Sequence, residues 1–230
     1  MTAKLIDTVL ARITKDGREQ ILHAHAQNVS SYARIFGTKC GIGEIMRIAG
    51  SLHDMGKASQ EWQEYLKRNN PNEKRLPHSI YGAKHAYDET IAFRCVAELI
   101  ANIIAAHHGR LYDSIAPDGT TPIIDKLSSA DFSPYDHKLD INIDILKNEF
   151  MSAITSVEKP DQAFGLSMLT KFAFSCLVDA DRLDAYLMEI QELYKAPSMP
   201  DWGVFILALE GSLRKKNEHK TRSDMAQQMA

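Results

Sequence analysis

Residues 45–57 read Ile45-Met46-Arg47-Ile48-Ala49-Gly50-Ser51-Leu52-His53-Asp54-Met55-Gly56-Lys57, and this stretch decides the fold class. Ile45, Ile48, Ala49 and Leu52 recur at three- and four-residue steps, the period of a helix with one buried stripe. Gly56 follows as the expected terminator. His53 and Asp54 end the stripe side by side, where a helix end can turn both toward one point. Imidazole nitrogen with carboxylate oxygen suits a transition metal better than calcium. A His-Asp dipeptide is common by chance, so its meaning depends on what the rest of the chain brings to it.

Outward from this stretch the same period continues. Leu22, His25, Val29, Tyr32, Ala33 and Phe36 predict a helix over 21–36. Residues 57–68 predict a helix that buries Trp62, Tyr65 and Leu66, and a polar turn follows at 69–77. Two more helices are expected at 79–93 and 95–108, the second ended by Gly109. Pro117, Asp118-Gly119, Pro122 and Pro134 break any long period, which predicts an irregular insertion around 110–142. Helical patterning returns at 143–158 and through 162–194, where Leu169, Phe172, Ala173, Cys176, Leu177 and Ala180 mark a long buried helix. All eight prolines fall between these helices, and no strand-like alternation is strong. The expected fold is an all-α helical bundle with one irregular insertion.

A chain of 230 residues and 25.8 kDa suits one domain, expected over 1–213, with a charged tail at 214–230. Arg214, Lys215, Lys216, Lys220 and Arg222 make that tail a solvated end or linker; a nucleic-acid contact is the alternative. The longest clean apolar run, 204–209, is far below the roughly 20 residues of a membrane span, so no membrane is expected. Asp7 and the lack of a basic-then-apolar start argue against a secretory leader. Cys40, Cys95 and Cys176 are odd in number and form no CxxC pair, which fits a reducing cytoplasm. A net charge of −3 argues against a strongly basic, free-standing nucleic-acid binder but leaves room for a local basic groove.

Nine histidines stand out by their placement. His25 lies on an apolar stripe, four residues from both Ile21 and Val29. His107 and His108 extend the stripe of Ile100, Ile103 and Ile104, again at a helix end. Adjacent helical residues point about 100° apart, so this pair can serve different metals or different edges of one cluster. Asp181 puts a carboxylate on the long buried helix. Unpaired burial of such groups is costly, and a shared cation accounts for all of them.

Taken in order, these residues resemble the HD metal-dependent phosphohydrolase superfamily. More narrowly, Leu52-His53-Asp54-Met55-Gly56-Lys57-Ala58-Ser59, His78-Ser79-Ile80-Tyr81-Gly82-Ala83, His107-His108-Gly109 and Leu177-Val178-Asp179-Ala180-Asp181-Arg182 resemble the CRISPR-associated HD nuclease. That nuclease is the HD domain of the helicase-nuclease of type I interference systems, or a separate protein. The likeness runs from about residue 20 to 195. It implies a first metal held by His25, His53, Asp54 and Asp181. Asp54 would bridge to a second metal held by His78, His107 and His108. His23, His85 and Asp179 compete with His25, His78 and Asp181 and fit the motifs less well.

The implied activity is metal-dependent hydrolysis of DNA phosphodiester bonds, mainly single-stranded, as endonuclease or exonuclease. Asp54 and Lys57 are the expected catalytic residues: one bridges two ions, the other contacts a phosphate oxygen. A plain surface lysine is the alternative for Lys57, and Ser79 is a weaker candidate for orienting a ligand or phosphate. The histidine-rich set favours one or two ions of manganese, nickel, cobalt or iron, with magnesium possible. Tyr81, Trp62 and Tyr112 are candidates for base stacking, although core packing is the commoner role. By resemblance the partners are single-stranded DNA, a helicase domain or subunit, and an RNA-guided surveillance complex. The chain has no GxxxxGK[ST] loop, so it would be a stand-alone nuclease subunit or a piece of a helicase fusion. Two other classes compete: a phosphohydrolase of a nucleotide or cyclic dinucleotide, and a non-catalytic helical interaction domain.

Overall fold

The computed structural model describes residues 9–68, 70, 76–130, 139–193, 195, 203–204 and 206–214 of the chain. The chain divides into two compact units, 1–192 and 193–230, ahead of the 213/214 boundary expected from charge. In the second unit residues 203–204 and 206–214 are helical. The basic residues expected beyond Arg214 lie outside the described residues, as do Pro134 and most of the polar turn at 69–77.

Among its described residues, the first unit holds eight α-helices and one hairpin. They run β1 (Leu10–Ile13), β2 (Glu19–Ile21), α1 (Leu22–Thr38), α2 (Gly43–Leu52), α3 (Gln60–Arg68), α4 (Ser79–Thr90), α5 (Arg94–Ala106), α6 (Pro122–Ser129), α7 (Ile143–Thr155) and α8 (Gln162–Ile190). The all-α expectation holds. α1 packs along α2 and α4 along α5, while α8 lies against α1, α2, α5 and α7. The core is aliphatic: Val29, Ile45, Ile48, Leu52, Ile100, Ile103, Ile104 and Leu177 are fully buried. Each such side chain contributes about 1.5–3 kcal/mol relative to exposure.

Two glycines decide where the helices meet. α2 stops at Leu52, four residues before the expected terminator, and Gly56 falls in a 3-10 turn over Met55–Ala58. A Cβ on Gly56 would sit 2.2 Å from the His78 carbonyl oxygen, and one on Gly82 would sit 2.0 Å from that of Leu52. Both residues are glycine because the start of α4 presses directly on the end of α2. α5 likewise ends at Ala106, before the expected Gly109, and leaves His107 as its cap.

Two elements correct the sequence reading. The β1–β2 hairpin was not expected, because strands of four and three residues are too short to show alternation. Asp16-Gly17 was its signal: Gly17 takes φ +87°, and the Asp16 carboxylate accepts from Thr14 Oγ1 and Arg18 Nε. Inside the expected irregular insertion, Pro122 opens α6 rather than breaking a helix, since proline suits the first helical turn.

The hairpin is anchored at both ends. Gln63 of α3 accepts from the Leu10 amide at 3.0 Å and donates to the Leu10 and Lys57 carbonyls, both at 2.8 Å. Arg18 donates to the carbonyls of Met188 and Glu189 at the C-terminal end of α8. By length and composition, the 32-residue segment Lys159–Ile190 could cross a membrane. Here its inner face, with Ala173, Cys176, Leu177, Ala180 and Asp184, is buried in the bundle.

Candidate metal centre

Helix ends and two inner helix faces supply the centre. His25 lies on the inner face of α1; His53 caps the end of α2 with Asp54 next to it. His78 precedes the first turn of α4, and His107 caps the end of α5 with His108 beyond it. Asp181 comes from α8. His25, His53, Asp54, His78 and His107 are buried, Asp181 is partly so, and His108 is exposed.

These seven residues form two groups that could hold a metal ion. One ligand-type atom from each of His25, His53, Asp54 and Asp181 lies within 4.8 Å of the others, and the same is true of Asp54, His78, His107 and His108. Asp54 belongs to both, and its two oxygens divide the work. Oδ2 is 3.1 Å from His25 Nε2 and 3.4 Å from His53 Nε2. Oδ1 is 3.1 Å from His78 Nε2 and 3.5 Å from His107 Nε2. Asp181 Oδ1 completes the first group, 3.4 Å from His25 Nε2 and 3.8 Å from His53 Nε2. His23, His85 and Asp179 fall in neither group.

The four buried imidazoles are oriented alike. Nδ1 of His53 donates to the Gly50 carbonyl at 2.8 Å, that of His107 to Ile104 at 2.7 Å, and that of His78 to Leu76 at 3.2 Å. Nδ1 of His25 donates instead to Asp184 Oδ2 at 2.5 Å. A proton fixed on Nδ1 leaves Nε2 as the lone-pair atom, the arrangement of metal-ligating histidines. His53 Nε2, Asp54 Oδ1 and His107 Nε2 are buried without a hydrogen-bond partner. Orphaned buried acceptors are costly, and divalent cations in the two groups would satisfy them. The nitrogen and oxygen donors present therefore fit such an ion.

Charge differs across the centre. Burial pushes His53 down, but the nearby Asp54 and Asp181 carboxylates overcome it and carry its pKa up to about 10. His25 is also raised: its bonds to Asp181, Asp184 and Asp54 outweigh burial. His107 moves the other way, because burial outweighs the pull of the nearby Asp54 carboxylate. Burial opposes ionisation of Asp54, yet Lys57 and the surrounding histidines hold it well below the usual carboxylate range. Against the same cost of burial, His25 and His53 hold Asp181 down.

Other candidate residues have definite places. Lys57 is not a surface lysine: it is 5% exposed, with Nζ 2.5 Å from Asp54 Oδ2 and 5.1 Å from the Trp62 ring centre. Trp62 is buried edge-on to His78 with ring centres 5.7 Å apart, which makes it part of the packing around the centre. Tyr112 is half-buried and accepts from Lys126. Ser79 donates to the Ala105 carbonyl at 3.2 Å, tying α4 to α5 rather than facing a ligand.

The sequence reading missed Asp184 and Arg12. Asp184 is 3% exposed and, besides His25, accepts from Gln20 and Asn28, both at 2.7 Å. Its place three residues after Asp181, on the same face of α8, was the available signal. Arg12 reaches Asp181 from β1 and could not be found without the hairpin.

A scan of protein families matches residues 22–141 to the HD domain. The match spans His25, His53, Asp54, His78, His107 and His108 and stops before Asp181. A search of curated proteins finds no match. With more than half its length in that match, and histidines and aspartates gathered about the defining His53-Asp54 pair, the chain belongs to the HD domain family and with it to the metal-dependent phosphohydrolases.

Proposed function

We propose that this chain is a nuclease that hydrolyses phosphodiester bonds of DNA, mainly single-stranded, in type I CRISPR interference. The observation that carries the reading is the division of the Asp54 oxygens between two histidine-rich groups. A nucleotide phosphohydrolase using one ion has less need of His78, His107 and His108. His108 is exposed, so this side of the centre is open to a polymer. Divalent ions held by these residues would activate water and offset charge on the leaving oxygen. The fixed Nδ1 protons keep each Nε2 aimed inward, and Asp54 holds the two halves in register. Lys57 holds Asp54 ionised and lies close enough to offset charge on a phosphate at the centre.

Nitrogen donors favour manganese, nickel, cobalt or iron over magnesium as the working ions. A net charge of −3 gives little grip on DNA, which fits a cytoplasmic enzyme whose strand is delivered by a helicase and whose target is chosen by an RNA-guided surveillance complex.

The test is cleavage of labelled linear and circular single-stranded DNA in manganese, nickel or magnesium. A His53→Ala/Asp54→Ala variant and a panel of dNTPs and cyclic dinucleotides run in parallel. Metal-dependent cutting of the circle, lost in the variant, is the expected result. Hydrolysis of a nucleotide with both DNAs left intact would overturn the reading in favour of a small-molecule phosphohydrolase.

A further inference from the structure

Strand β1 carries an arginine into the centre. Across the hairpin Leu10 pairs with Ile21, Arg12 with Gln20 and Ile13 with Glu19, with a bulge between Leu10 and Arg12. Bulges re-aim side chains and are over-represented beside active sites. Here both members of the Arg12–Gln20 pair reach α8. Arg12 Nη2 lies 3.3 Å from Asp181 Oδ1, and Gln20 Nε2 donates to Asp184 Oδ2 at 2.7 Å.

Arg12 Nη2 is also 3.4 Å from His25 Nδ1 and 3.5 Å from His25 Nε2. Those nitrogens are already engaged, Nδ1 with Asp184 and Nε2 facing Asp54. An atom nearly equidistant from both, if it lay in the ring plane, would collide with the carbon between them. The guanidinium nitrogen therefore sits over the face of the imidazole, a contact that arginine makes readily. Stacking leaves the guanidinium edges for hydrogen bonds, and Nε is buried with no partner.

Two cations stand at this half of the centre. The Lys57 side chain is 6% exposed and the Arg12 side chain 22%, so Arg12 is the one that meets solvent. Its strand is held in advance by Gln63 at Leu10, and the far end of the hairpin by Arg18 on α8. An arginine fork in a fixed place matches a phosphate bidentately.

We propose that Arg12 is a substrate-binding residue that grips a non-bridging oxygen of a phosphate ester beside the His25–Asp181 half of the centre. The proposal rests on the phosphohydrolase reading and deepens it, assigning to the hairpin the recognition of the phosphate. When Asp181 turns to an ion, Arg12 keeps its stack on His25 and gives its hydrogen bonds to the substrate.

Inorganic phosphate is the probe, titrated by calorimetry into the manganese-loaded full chain as wild type, Arg12→Gln and Arg12→Lys. Manganese affinity and the circular-dichroism melt of each variant are measured separately. Arg12→Gln is expected to weaken phosphate binding about 10- to 100-fold, the range for a hydrogen bond to a charged group. Arg12→Lys, a point charge without the fork, should lose less and carries the comparison if the glutamine variant fails to fold. Manganese should bind both variants at least as tightly, because Asp181 has lost a competitor. Phosphate bound equally by wild type and variants, or not bound by the wild type, overturns the proposal. Manganese affinity falling in step with phosphate also overturns it and leaves Arg12 as a prop for Asp181. Failure of the DNA reading has a different signature: Arg12-dependent phosphate binding with DNA left intact.

Discussion

The two halves of the centre share one carboxylate and are built differently around it. In the half with His25, His53 and Asp181, two members sit within helices, and charge backs the group on three sides. Asp184 bonds His25, Arg12 reaches Asp181 and Lys57 reaches Asp54. In the half with His78, His107 and His108 every histidine lies at or beyond a helix end, and main-chain carbonyls of Leu76 and Ile104 orient the two buried rings. The first half is an ionic network in which the carboxylates raise the pKa of both His25 and His53. The second is closer to neutral, with His107 lowered and His108 in solvent. An ion in the first half would therefore compete with Arg12 and Lys57 for the carboxylates, whereas main-chain carbonyls alone orient His78 and His107 in the second.

The comparison breaks first at the shared residue. Asp54→Asn should empty both halves and lower hydrolysis of a phosphodiester such as bis(p-nitrophenyl) phosphate by about a thousandfold or more. Metal content after dialysis checks it; loss of a single ion would mean that Asp54 belongs to one half only.

Separate truncations sharpen the contrast. His53→Ala should cost the ion of the first half and His107→Ala that of the second, each lowering the rate by about a hundredfold. Metal counting on the two variants, each retaining one ion, is the check. Asp184→Asn should weaken manganese binding by about 10- to 100-fold through the first half alone, since His25 is the one member of the two groups that it bonds. Calorimetric titration should show one weakened step and one unchanged, with partial recovery in Asp184→Glu.

The smallest effect is on the pH dependence of the metal-free protein in chelator. The folded pKa of His53 lies above its ordinary 6.5, so its stabilisation is full below that value and is lost as pH rises through about 10. Asp54 and Asp181 are held below the ordinary 3.8, so their contribution is present above it and is lost as pH falls further. Melting temperature should therefore decline on both sides. His53→Ala should flatten the alkaline decline, and His107→Ala should leave it in place.

The helices were legible because one buried stripe repeats over many turns, as in α2 and α8. Their ends were less so: α2 stops four residues before Gly56, since that glycine serves packing against His78 rather than chain termination. Six of the seven residues that form the two groups stood out as chemistry-bearing side chains on apolar stripes or at stripe ends, and His78 came only from the family resemblance. Residues that act through those seven were hidden. Asp184 looks like any aspartate of a surface-spaced helix until Gln20 and Asn28 are seen on it. Arg12 depends on a seven-residue sheet whose only local mark is Asp16-Gly17. Strands of four and three residues leave little periodic signal in a single sequence.

Gly56 and Gly82 add a different kind of requirement. Neither has a side chain to bond or carry charge, yet a single methyl group at either position would meet a main-chain oxygen at 2.2 or 2.0 Å. The distance from His78 to Asp54 is thus set by hydrogen atoms on two residues that no inventory of reactive side chains would include. A saturation screen for lost function should rank them beside the histidines, and their variants should stay helical while losing the grip of α4 on α2.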